Sequence, residues 1–155
     1  MTKVLRHLTV LVHLLCIAFA GLAQAGPASE VNLGYFNKLA MNGYDVMTYW
    51  NGGDPQKGDP EIQASFKDAT WVFISAENRE AFLADPERFA PQYGGYCAFA
   101  ASQNAVADVD PFAWRIWDDK LYLNYSPRVR RQWASDIDGN IEKADGYWPM
   151  LLSNQ

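Results

Sequence analysis

Hydrophobic and polar positions change rhythm several times along the chain, and each rhythm predicts a short element. Residues 62–66 alternate apolar and polar, and Thr70-Trp71-Val72-Phe73-Ile74 is rich in aromatic and β-branched side chains. Together they predict a β-hairpin across Lys67-Asp68-Ala69. A second hairpin is predicted from residues 114–117 and 121–125 across Asp118-Asp119-Lys120, with Leu121, Leu123 and Tyr125 on one face and Tyr122 and Asn124 on the other. Each hairpin is followed by a helix signal. Ser75 caps a segment running to about Ala84 with Phe82 on its inner side, and Asp85-Pro86 opens a further turn. Ser126-Pro127 starts a helix whose apolar stripe is Val129, Trp133 and Ile137. Asp138-Gly139-Asn140 then reads as a turn, after which a short segment closes the chain near Tyr147-Trp148-Pro149.

The stretch before the first hairpin is less regular. Asn42-Gly43-Tyr44-Asp45 reads as a turn in which Asp45 caps residues 46–50. Asn51-Gly52-Gly53-Asp54-Pro55 and Gly58-Asp59-Pro60 read as a surface loop, and residues 103–110 as a loop or weak strand. The pattern contains no recognisable internal repeat. These elements predict an α+β fold: a small single domain of two β-hairpins with short helices packed around an aromatic-rich core. Six tryptophans, eight tyrosines and eight phenylalanines supply that core.

Residues 1–25 follow a different logic. Lys3, Arg6 and His7 precede an apolar run at 8–22, and Ala23-Gln24-Ala25 offers a small-x-small cleavage site, so this stretch is expected to be a cleaved signal peptide. Residues 26–32 are expected to be a flexible leader and 33–152 the folded domain. The expected location is periplasmic or secreted, with no stable membrane insertion after processing. Cleavage at that site leaves 130 of the 155 residues, and with Lys3 and Arg6 gone, 11 basic residues face 18 acidic ones, a net charge of −7. That balance argues against nucleic acid as a partner.

Cleavage also removes Cys16, His7 and His13, leaving Cys97 as the one cysteine and no histidine. Four-ligand structural zinc and Cys-His or Ser-His hydrolysis are thereby excluded. Cys97 lies in Gln92-Tyr93-Gly94-Gly95-Tyr96-Cys97-Ala98, where two glycines allow positive φ or a close approach to a ligand. Tyr93, Gly94, Gly95, Tyr96 and Cys97 are therefore the candidate ligand pocket. Cys97 opens the helical run Ala98-Phe99-Ala100-Ala101, and two readings of it stand side by side. Unpaired N–H groups at a helix start favour a reactive thiolate, whereas a free cysteine beside a tight turn is equally a small buried apolar residue.

Several short matches in order resemble one family. They are Gly43-Tyr44-Asp45, Phe73-Ile74-Ser75-Ala76-Glu77-Asn78, Phe82-Leu83-Ala84-Asp85-Pro86, Tyr93-Gly94-Gly95-Tyr96-Cys97-Ala98, Asp110-Pro111, Trp114, Leu121-Tyr122-Leu123-Asn124-Tyr125-Ser126, Ala144-Asp145 and Trp148-Pro149. The chain is similar in these to the exported YHS domain-containing (seleno)proteins. The resemblance implies a chalcogen of some consequence at Cys97, since some members carry selenocysteine there. Other YHS domains are associated with heavy-metal binding through several cysteines. This chain has Ile74 and Glu77 where such a pair would stand, so a multi-cysteine site is excluded.

Four functions follow as expectations. The first is a binding protein for a soft metal ion such as copper, or for a thiol-reactive ligand, centred on Cys97 with one of Met41, Met47 or Met150. The second is a thiol redox protein in which Cys97 is oxidised or forms a mixed disulfide with a partner protein. The third is a non-catalytic interaction domain in which Tyr93, Tyr96 and nearby tryptophans wall a pocket and Cys97 is structural. The last is carboxylate catalysis from Asp108, Asp110, Asp118 and Asp119, which read better as turn residues. Arg128 and Arg131, three residues apart, share a helical face that reads as solvated rather than anion-binding.

Overall fold

Turn chemistry decides where the strands end. The computed structural model describes residues 29–34 and 37–153, so the expected signal peptide and residues 26–28 of the expected leader lie outside the described residues. Lys67 and Asp68 both take positive φ, 50° and 54°, a two-residue turn whose twist suits a hairpin. It joins β1 (Asp59–Phe66) to β2 (Ala69–Phe73) in antiparallel register. Asp118 and Asp119, at 48° and 56°, do the same for β3 (Asp110–Trp117) and β4 (Lys120–Asn124). The two hairpins are separate two-stranded sheets.

Short helices fill the remainder: α1 (Met47–Trp50), α2 (Ala76–Ala84), α3 (Pro86–Phe89), α4 (Ala98–Ser102), α5 (Pro127–Trp133) and α6 (Ile137–Ser153). The expected caps of α2, α3 and α5 are in place. Ser75 Oγ accepts from the Asn78 N–H at 3.2 Å, Asp85 Oδ1 from Arg88 at 3.3 Å, and Ser126 Oγ from Val129 at 3.2 Å. The architecture is the α+β class read from the sequence.

Three expectations need correction. Asp138-Gly139-Asn140 is not a turn but the first turn of the 17-residue α6, because Asp136 Oδ1 accepts the Gly139 N–H at 3.2 Å and the Asn140 amide donates to the Trp133 carbonyl at 3.0 Å. Trp133 and Ile137 accordingly reach one core from two helices. Asp59-Pro60 opens β1 instead of belonging to a loop, as Asp110-Pro111 opens β3. Finally, residues 31–32 of the expected leader are anchored: Val31 is buried, the Asn32 N–H donates to the Gly94 carbonyl at 2.7 Å, and its side chain donates to Gly95 O and Asp108 Oδ1.

The chain also builds one unit twice, which its sequence had not disclosed. Met41, Asn42 and Gly43 (φ 55°, 57°, 78°) form a left-handed run ahead of Tyr44-Asp45, and Tyr93, Gly94 and Gly95 (54°, 60°, 82°) form the same run ahead of Tyr96-Cys97. Each run closes alike, with Tyr44 N–H donating to Met41 O and Tyr96 N–H to Tyr93 O. Each hairpin then starts at an aspartate that accepts an N–H two residues on, Asp59 from Glu61 and Asp110 from Phe112, both at 2.9 Å. The bulges match, between Asp59 and Gln63 and between Asp110 and Trp114. Both end in a serine-capped helix whose one aromatic residue, Phe82 or Trp133, is fully buried.

Two apolar clusters hold the units together. One gathers Trp71, Phe73 and Phe82 of the first unit with Leu121 and Leu123 of β4, and the other packs Tyr122 and Trp133 with Ala98, Ala101 and Ala144 from α4 and α6. Strand β4 is therefore buried on both faces. Only Tyr125, just past its end, leaves the expected Leu121–Leu123–Tyr125 face and is exposed. No helix of the described residues is long and apolar enough to cross a membrane.

Candidate functional site

Asp45 and Cys97 occupy equivalent places in the two units. The Asp45 N–H donates to Gln56 O at 2.8 Å and the Cys97 N–H to Ala107 O at 3.0 Å. Asp45 is fully buried and its carboxylate takes three donors: Met47 N at 2.8 Å, Ile74 N at 2.8 Å and Asn78 Nδ2 at 2.7 Å. The cap position of α1 is Val46 rather than the expected Asp45, which instead takes the Met47 N–H two residues on and fastens the end of β2 to α2. Cys97 Sγ takes the corresponding strand-end N–H, from Tyr125 at 3.3 Å, and that of Ala100 at 3.4 Å in α4. Its third neighbour is Asn124 Oδ1 at 3.9 Å, the acceptor for the S–H. Cys97 thus sits at the expected helix start, 1 % exposed, with its sulfur engaged on every side.

Asn124 is the residue that sequence reading missed here. It stands where the first unit has Phe73, fully buried, with Oδ1 also accepting the Phe99 N–H at 3.3 Å. Its Nδ2 has no partner among the described residues. A buried donor left unpaired is costly, so it marks a place to ask what would pair with it.

A separate cleft lies beside the left-handed run of the second unit. Its volume is about 200 Å³, and it is walled by the rings of Phe66, Trp71, Tyr93 and Trp148 with Gly94 at its floor. The hairpin turn supplies Lys67, α3 supplies Glu87, the N-terminal segment Glu30, and α6 supplies Asp145. Lys67 Nζ bridges Glu30 at 3.0 Å and Glu87 at 3.1 Å. Burial pulls the Lys67 ammonium down, but the hydrogen bonds and charges of the two glutamates outweigh it and hold the group above its ordinary value. Across the cleft the Tyr93 hydroxyl donates to Asp145 Oδ1 at 2.9 Å, and the Tyr93 and Trp148 rings meet edge to face at 5.6 Å.

Of the five residues expected to form a pocket, the structure brings Tyr93 and Gly94 to this cleft. The other three do different work. The Gly95 carbonyl holds Asn32, Tyr96 donates to Ser29 O at 3.3 Å and packs on Trp148, and Cys97 lies in the node described above. The glycine freedom expected for a ligand is used by the protein itself, because Gly94 lies against the Glu30 backbone. Lys67, Glu87, Asp145 and Trp148 come from distant parts of the chain, and no local signal pointed to them.

The remaining candidates are dispersed. Met41 and Met47 are buried in the first cluster and Met150 is exposed on α6, and among the described residues no three of His, Cys, Asp and Glu gather as metal ligands. Asp108 and Asp110 bind backbone or Asn32, while Asp118 and Asp119 form the turn. Arg128 and Arg131 are exposed as expected. Arg131 instead joins Arg115 and Arg130 along a shallow groove, where Arg130 is spent on the Trp114 carbonyl at 3.3 Å and Arg115 lies over the Trp117 ring.

Burial raises four phenols. It is the first cause for Tyr49, Tyr93, Tyr96 and Tyr122, reinforced at Tyr93 by Asp145, and it pushes Tyr122 up to about 12. Unfolded tyrosine ionises near 10.0. Below that pH both states keep the proton and these groups leave stability unchanged. Above it only the unfolded chain loses protons, so the stability they contribute is lost as pH rises toward the folded values. Circular dichroism is expected to show a steep fall in stability above pH 10.0, with the phenolate absorbance of these four tyrosines rising together with unfolding. If all eight tyrosines ionised near 10.0 with the fold intact, the burial described here would be wrong.

Comparison with family models, curated proteins and solved structures gives no match to this chain.

Proposed function

We propose that this protein is a non-catalytic binding domain of the exported YHS type, and that its ligand is a small organic cation held in the cleft between Tyr93 and Trp148. The observation that carries the reading is the cleft's composition. Four aromatic rings surround about 200 Å³, and three carboxylates, Glu30, Glu87 and Asp145, outnumber the one ammonium of Lys67. Lys67 already bridges Glu30 and Glu87, whereas Asp145 makes no ion pair among the described residues and lies beside the Tyr93 and Trp148 rings. An ammonium group placed there gains a counter-charge and ring faces together, which is how proteins recognise quaternary amines. The volume falls below that of drug-sized sites and suits a compact molecule. Cys97 has an architectural role in this reading.

Tryptophan fluorescence titration tests it with three probes: choline, its neutral tert-butyl analogue, and acetate. Choline is expected to quench saturably and to bind about fivefold more tightly than the neutral analogue, in keeping with a cation–π gain of about 1 kcal/mol. Trp148→Leu and Asp145→Asn are each expected to remove that preference. Equal binding of all three probes would overturn the ligand class, and no saturable binding by any would overturn the cleft as a site. Cys97→Ser is expected to bind choline as the parent does.

A further inference from the structure

We infer that Cys97 is a modification site, shaped to hold a cysteine sulfinate in the way the first unit holds the Asp45 carboxylate. This goes beyond the cleft and rests on the repeated unit alone. Aspartate ends in a methylene bearing a carbon with two oxygens, and cysteine sulfinate ends in a methylene bearing a sulfur with two oxygens. The two anions are close analogues in shape and charge. Position 45 shows that this fold accommodates such a group without a basic residue: its oxygens take Met47 N, Ile74 N and Asn78 Nδ2.

The second unit already aims two such donors and keeps a third beside them. Tyr125 N and Ala100 N point at Sγ, at 3.3 and 3.4 Å. The third donor is the unpaired one. Asn124 lies 3.9 Å from Sγ through Oδ1, is fully buried, and has Nδ2 without a partner. With the neutral thiol, Oδ1 receives the S–H and Nδ2 is left over. A sulfinate puts an acceptor where the S–H donor was, and a turn of the amide offers it Nδ2, in the part that Asn78 Nδ2 plays at Asp45. The strand-end N–H on Sγ belongs to Tyr125, whose side chain is exposed.

The oxidant is a peroxide. The sulfur attacks one peroxide oxygen, the O–O bond breaks, and sulfenic acid and water form. A second peroxide converts the sulfenic acid to sulfinic acid with release of a second water, and the acid loses its proton. Among the described residues there is no second cysteine to intercept the sulfenic acid as a disulfide.

Two measurements on the full chain test the inference. Cys97→Asp imitates the product, and its urea unfolding midpoint is expected to equal or exceed that of Cys97→Ser. A carboxylate buried where nothing receives it would instead unfold the protein, and that result would overturn the inference. Adding Asn124→Leu to Cys97→Asp is expected to lower the folding constant at least tenfold more than Asn124→Leu does in the Cys97→Ser background, and equal effects would count against the role given to Nδ2. Mass spectrometry of the folded wild type after graded peroxide is expected to show Cys97 gaining two oxygens and stopping there. A thiol left unmodified while exposed Met150 is oxidised, or one that proceeds at once to three oxygens, would equally overturn it.

Discussion

Asp45→Ala is expected to cost about 4 kcal/mol, enough to leave a domain of ordinary stability barely folded. The carboxylate is the sole side-chain acceptor for two backbone N–H groups and one amide, each within 2.8 Å, at a fully buried position. Removing it strands those donors at about 1–3 kcal/mol apiece, partly offset by the disappearance of a buried charge. Asp45→Asn is expected to lose nearly as much, because its amide nitrogen must face a donor. Urea denaturation reads the result as a lower midpoint with an unchanged slope. A loss under about 1 kcal/mol would mean that α1, β2 and α2 are not fastened through this group.

Gly94→Ala is expected to be of similar size by a different route. Gly94 has φ 60°, where a side chain costs about 1–2 kcal/mol, and an added Cβ would stand 1.8 Å from the Glu30 carbonyl oxygen. The N-terminal segment must move away, withdrawing Val31 from the core at about 1.5–3 kcal/mol. The sum is about 2.5–5 kcal/mol. Gly52→Ala is the control, with φ 73° and nothing within 4 Å of the new atom, so that only the conformational cost of about 1–2 kcal/mol applies. Since Glu30 and Val31 also wall the cleft, Gly94→Ala is expected to lose choline binding at protein concentrations where Gly52→Ala retains it. Two variants of equal stability and equal binding would contradict the contact.

Local chemistry was legible in the sequence and long-range chemistry was not. Ser75, Asp85-Pro86 and Ser126-Pro127 announce helices because a capping side chain acts within three residues. Asp138-Gly139-Asn140 misleads by the same rule, since turn-forming residues also suit the first turn of a helix when an acceptor such as Asp136 precedes them. The repeat is hidden because residues 59–82 and 110–133 share five identities without a gap: Asp59/Asp110, Pro60/Pro111, Asp68/Asp119, Ser75/Ser126 and Arg79/Arg130. At the node that matters most, the correspondence pairs Asp45 with Cys97 and Phe73 with Asn124, which no similarity of side chains would suggest. Tyr93 and Gly94 stand out in the sequence through the Gly-Gly-Tyr pattern, but the cleft they line is completed by Lys67, Glu87, Asp145 and Trp148, which only the folded chain brings together.

The left-handed run that opens each unit sets how freely each copy can change. In the first it contains two residues with side chains, Met41 and Asn42, held at positive φ, and in the second only Tyr93, followed by two glycines. The strain of the turn is thus distributed differently while its hydrogen bond is kept. What the two copies preserve is a wiring of main-chain donors, and the side chain plugged into it is exchangeable: one socket holds a carboxyl group and the other a thiol.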